Sequence, residues 1–142
     1  MSDSVGVLEF ASVAQGIAAA DAMVKSARVE LVTRAAKAEA LVPALAGVHR
    51  AERGEACGIV ETFTVASAVL AADAAVKTAR VGLWDLRAAH GMGGKSFVIV
   101  TGPVGDVQAA VDAAAEAVGR EGPLVGVVVV PAMDQEVWER LG

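Results

Sequence analysis

The chain has 142 residues, 55% of them hydrophobic, and a formal net charge of −5, enough for one sizeable core and a fragment of a second. Its apolar residues are mostly Ala and Val, with 4% aromatics and no Tyr, which disfavours ligand cages built from rings. No Lys/Arg cluster exceeds two or three residues, which argues against a footprint for a nucleic-acid backbone. A single cysteine and two histidines provide neither a disulfide framework nor metal-ligand spacing, so no cofactor is expected. The N-terminus lacks the basic and apolar regions of a leader, and the most apolar stretch, 123–133, falls short of the roughly 18–20 residues that span a bilayer. A cytoplasmic protein without a membrane partner is expected.

In chain order, the first elements are a short alternating apolar run over 6–10, a helical stretch, and a second short run. The same order returns from Gly58: GVLEFASVAQGIAAADAMVKSARVEL aligns without gaps on GIVETFTVASAVLAADAAVKTARVGL, and about half of the positions are identical. Agreement is densest in AADAMVKSARV and AADAAVKTARV. There Asp21 and Asp73 precede Lys25 and Lys77 by one helical turn, on one face and in the favourable order.

The first copy stops early. After Arg34 it runs into AAKAEALVPALAGVHRAERGEAC, in which 39–47 faintly echoes the terminal QEVWERLG. A lone strand-helix-strand unit leaves an apolar sheet edge and face open, so a second domain or another chain must complete it, and an oligomer follows.

The second copy continues. Val65, Val69, Ala72 and Val76 predict the apolar face of its helix. The segment 83–86 leads into a glycine-rich turn, 90–95, then a strand over 96–101 and a break at Gly102 and Pro103. Val104, Val107, Val111, Ala114 and Val118 fall on one face of the next helix, opposite Asp106, Asp112, Glu116 and Arg120. A nearly continuous apolar strand over 124–130 and a short helix over 135–141 close the chain. From Gly58 the order is strand, helix, strand, strand, helix, strand: an α/β (α+β) fold of ferredoxin-like type, an antiparallel sheet with two helices on one face. Residues 1–36 form the partial β-α-β repeat, 37–57 a linker with a short helix, and 58–142 the complete domain.

AADAAVKTARVGL, the hairpin with its glycine-rich turn, and the helix start TGPVGDVQAAVDAA together resemble the shell domain of bacterial microcompartments. The resemblance covers essentially all of 58–142 and about thirty residues of the N-terminal half. Two copies in one chain resemble the tandem-domain shell proteins, which form trimeric pseudohexamers that tile with other shell subunits, although here the first copy lacks the middle of the domain. The resemblance implies a structural shell subunit with no enzymatic activity and a central pore that passes small metabolites. It places Ala89, His90, Gly91, Met92, Gly93, Gly94 and Lys95 along the pore, and Lys77 and Lys25 at the edge where tiles abut. Trimer and hexamer both remain open. Glycines allow backbones to crowd around a symmetry axis and offer N–H groups to anions, and a ring of Lys95 or His90 would favour anionic metabolites.

Competing readings are available for each motif. Gly93, Gly94, Lys95 and Ser96 spell the end of a phosphate-binding P-loop, but the first glycine of that motif would fall at Ala89 and a strand follows where a helix is required. His90 has only Asp85 as a nearby acid in sequence and no nucleophile pattern, so it reads as a loop residue or a pore residue and not as a base. Lys25 and Lys77 could be solvated partners of their aspartates. Cys57, expected just before the first strand, reads as a small buried thiol and not as a ligand of an iron–sulfur cluster of the kind some tandem shell proteins hold. Trp84 and Trp138 read as packing residues. The alternative function is a ferredoxin-like regulatory module that binds a small molecule as a closed oligomer.

Overall fold

The computed structural model of the chain describes residues 6, 8, 12–29, 51–88, 95–121 and 124–141. In that order it holds α1 (Val13–Ser26), β1 (Ala56–Thr62), α2 (Val65–Thr78), β2 (Gly82–Ala88), β3 (Ser96–Gly102), α3 (Val104–Glu121), β4 (Leu124–Val130) and α4 (Gln135–Leu141). The strands form one sheet in the order β2-β3-β1-β4, antiparallel throughout. That is the ferredoxin-like arrangement expected from the element order.

Alternation along the strands divides the sheet into two faces. Ala56, Val60, Leu86, Val98 and Val100 look toward α2 and α3 and join their buried residues in one core. The contact face of α2 is Ala68, Ala71, Ala72 and Ala75, and that of α3 is Val107, Ala110, Val111, Ala114 and Val118. The valine stripe expected on α2 is therefore displaced: Val65 and Val69 are half-buried and Val76 is exposed. Alanines at i, i+3, i+4 and i+7 hold the buried face because α2 lies close against α3 and the sheet, where larger side chains have no room. Gly58 marks a close approach of α3 to the sheet. A Cβ there would sit 2.5 Å from Val111 Cγ2 and 2.9 Å from Val107 Cγ1.

The opposite face carries a smaller core of Cys57, Ile99, Trp84 and Trp138. It is covered by α4, whose Trp138 ring lies 4.9 Å from that of Trp84. Arg87 holds the end of α4: its Nη2 donates to the Leu141 carbonyl at 3.1 Å, while its Nε donates to Asp85 Oδ2 at 2.6 Å. A cation at a helix C-terminus is the favourable placement.

β1 starts two residues earlier than the repeat suggests. Cys57 is therefore inside the strand, paired with Thr101 and Val130, and not ahead of it. Thr101 explains the extension, since its Oγ1 donates to the Ala56 carbonyl at 3.0 Å and accepts from the Gly54 N–H at 2.8 Å. Gly102, with φ 158°, then turns the chain into Pro103 and α3.

Helices α1 and α2 begin and end alike. The Gln15 N–H donates to Ser12 Oγ at 3.5 Å, and the Ser67 N–H donates to Thr64 Oγ1 at 3.1 Å, each an N-cap. Both stop at an extended alanine, Ala27 or Ala79. Among the described residues α1 shares no substantial packing surface with the strands or other helices. Ile17 on it is 67% exposed.

Candidate functional site

The residues expected to matter fall at two places in the fold. The first is the end of the sheet where β2 passes to β3. Ala89, His90, Gly91, Met92, Gly93 and Gly94 lie outside the described residues, and Lys95 stands immediately before β3. Lys95 Nζ is 3.6 Å from Glu61 Oε1, and both side chains are 41% exposed. Glu61 was not expected here. It sits late in β1, and only the register that sets it opposite Phe97 brings it beside Lys95. An acidic residue in the otherwise apolar run of β1 was the available signal.

This end of the sheet carries other mixed groups. Phe97 is half-buried, with the Arg87 guanidinium 5.9 Å from its ring centre, a cation–π distance. Phe63 is exposed just beyond β1. Ser96 begins β3, so the Gly-Gly-Lys-Ser sequence leads into a strand and has no helix N-terminus to hold phosphate. Asp85, the acid closest to His90 in sequence, is buried and engaged by Arg87.

The second place is the outer surface of the repeated helices. Lys25 Nζ donates to Asp21 Oδ2 at 2.7 Å, and Lys77 Nζ to Asp73 Oδ2 at the same distance. All four side chains are exposed, and each lysine has an exposed valine beside it, Val24 or Val76. Cys57 belongs to neither place. It is fully buried, and burial pushes its thiol up to about 11, so the nucleophilic thiolate is suppressed at neutral pH. Among the described residues no group of acids, histidines and cysteine could hold a metal ion, and no helix is long and apolar enough to cross a membrane.

The model of the BMC domain matches residues 4–42 and again residues 56–133. The chain belongs to the BMC-domain family. The bacterial microcompartment shell protein PduT of Citrobacter freundii is 33% identical over 181 residues, which takes in 99% of this chain and 98% of that protein. The alignment is longer than this BMC-domain chain, so PduT carries a stretch with no counterpart here. The first domain match is about half the length of the second, which fits a loss within the first copy. Other shell proteins align over little more than half of this chain. The shell protein PduA of Citrobacter freundii is 42% identical over 83 residues, covering 58% of this chain and 87% of that protein. EutM of Salmonella typhimurium is 42% identical over 77 residues, covering 54% and 78%. A crystal structure of a microcompartments protein from Desulfitobacterium hafniense DCB superposes with a TM-score of 0.72 at 30% identity, covering 90% of this chain and 93% of that one.

Proposed function

We propose that this BMC-domain protein is a structural tile of a bacterial microcompartment shell, a trimer or hexamer with a central pore for small metabolites, packed against other shell proteins and without enzymatic activity. The observation that carries the reading is the double domain match in one chain, together with the end-to-end similarity to a shell protein. The turn 89–95 lines the pore in this reading, and Lys77 and Lys25 lie at the tile edges.

The paired Lys95 and Glu61 refine the pore chemistry. Each subunit contributes a cation and an acid in loose contact, worth little to stability because both are wet. Their charges offset one another, so the anion preference that a bare lysine ring would impose is muted. Glu61→Gln in the pore rim removes the acid and makes the passage more selective for anions.

Native mass spectrometry and negative-stain imaging of the same sample test the reading. A trimer or hexamer that forms hexagonal plates, sheets or tubes is the expected result. A monomer, or a closed oligomer that never tiles and saturably binds one metabolite, overturns it in favour of a regulatory module.

A further inference from the structure

α4 is fastened to the molecule differently from α2 and α3. It has seven residues, and an isolated helix shorter than about 12–15 residues is marginal in water, so its helical state depends on docking. Of its side chains only that of Trp138 is buried. Gln135, Glu136, Val137, Glu139 and Arg140 are exposed, and the Gln135–Glu139 and Glu136–Arg140 pairs tie the helix to itself. Its hold on the sheet is made by side chains. The Trp138 ring leans on that of Trp84, 4.9 Å between centres and tilted by 59°, and Arg87 Nη2 donates to the Leu141 carbonyl at 3.1 Å. Ahead of the helix, the Met133 N–H donates to the Glu55 carbonyl at 3.4 Å, which sets the pivot of the segment at Met133 and Asp134.

What lies beneath this weakly anchored helix is fully buried. Cys57 at 0% and Ile99 at 2% exposure share the small core with the two tryptophans. The backbone of Cys57 is paired on both sides, with Thr101 and with Val130. Its place in the sheet therefore rests on the strands, while its side chain lies on the face that α4 covers.

We infer that α4 is a hinged lid: residues 134–141 undock and lose their helix as one unit while the four-stranded sheet, α2 and α3 stay folded, uncovering Cys57, Ile99 and Trp84. Local opening below the global unfolding free energy belongs to segments that bury few side chains, and α4 buries one. Opening strands no buried charge, because Asp85 keeps the Arg87 Nε at 2.6 Å within β2. It also returns the Cys57 thiol to water and lifts the burial that pushes it up to about 11, so the open form is the thiol-reactive one.

Cys57 is the single cysteine of the chain, so a thiol-specific reagent reads the lid directly. In the full-length protein, at reagent concentrations where the labelling rate is proportional to reagent, that rate gives the population of the open form. Amide exchange in a peptide covering β3 gives the population of the unfolded domain. Cys57 should be uncovered at least about tenfold more often than β3. Val118→Ala, in the core on the other face of the sheet, weakens closed and open forms alike, so it should quicken β3 exchange and leave labelling unchanged. Trp138→Ala should raise labelling by about tenfold or more. Labelling that tracks β3 exchange in Val118→Ala, or that Trp138→Ala does not move, overturns the inference. Urea gives a second readout if Val118→Ala folds poorly. Lid opening exposes little surface, so labelling should stay nearly flat at low urea while β3 exchange rises steeply, and equal slopes overturn the inference.

Discussion

Helices α1 and α2 are near copies in two different situations. Each starts at a hydroxyl cap and ends at an extended alanine, and each bears an aspartate–lysine pair at 2.7 Å. The alanines Ala68, Ala71, Ala72 and Ala75 of α2 are buried, and their counterparts Gly16, Ala19, Ala20 and Met23 are only half-buried on α1. Local sequence therefore suffices for the caps, the length and the surface ion pair, whereas burial comes from α3 and the sheet, against which α1, among the described residues, has no substantial packing. Among the described residues, the face of α1 that corresponds to the buried face of α2 has no comparable cover.

The largest test of this difference places a charge on each face. Ala71→Asp buries an unpaired carboxylate between α2 and α3 and should cost on the order of 4 kcal/mol or more. Ala19→Asp should leave the same transition within about 0.5 kcal/mol. Both tryptophans, Trp84 and Trp138, share the core on one face of the four-stranded sheet, so chemical denaturation followed by their emission reports on the sheet and the elements packed on it. An Ala19→Asp loss as large as that of Ala71→Asp would break the comparison, because it would mean that α1 is covered in solution by something coupled to the domain.

A gentler pair sharpens the comparison at the strands. Gly58 and Gly6 occupy the same place in the repeat, but a methyl group at Gly58 would strike Val111, Val107 and Val100, the nearest at 2.5 Å, while at Gly6 it meets nothing within 4 Å. Valine is stiff at χ1, so those neighbours yield little. Gly58→Ala should lower stability by about 2 kcal/mol, and Gly6→Ala should leave it unchanged, in the same denaturation experiment. Equal effects would imply that Gly6 is packed as closely as Gly58.

Much of the complete domain is legible in the sequence for the same reason that α1 and α2 begin and end alike: strand alternation, helix caps and the break at Gly102 and Pro103 are local. Three features are not local and were misplaced or absent. The buried face of α2 is alanine and not valine, because the space against α3 decides it. Cys57 joins β1 because Thr101, a residue far along the chain, donates to the Ala56 carbonyl and accepts from the Gly54 N–H. The contact of Glu61 with Lys95 depends on strand register. The position of α4 on the opposite face is of the same kind, since QEVWERL is amphipathic whichever surface it meets and the Trp84 ring selects one. The pore residues Ala89 to Gly94 were named through family resemblance and remain part of the proposal, as do Lys25 and Lys77.

The smallest expected effect on stability is also the most informative for assembly. Lys77→Ala and Lys25→Ala each remove one exposed pair of identical geometry, so each should change folding stability by less than about 0.5 kcal/mol, and less still in high salt. If the lysines served only their aspartates, assembly would be equally indifferent to both substitutions. At a tile edge the consequence differs, because one lysine recurs around every unit and a small loss per contact is multiplied across a sheet. Lys77→Ala should therefore leave denaturation curves superimposable on wild type and leave the oligomer mass intact, while sharply reducing the size of plates or tubes in negative-stain images. Lys25→Ala carries the comparison into assembly: a matching reduction would show that the partial copy presents an edge equivalent to that of the complete one, and no reduction would confine the tiling surface to α2.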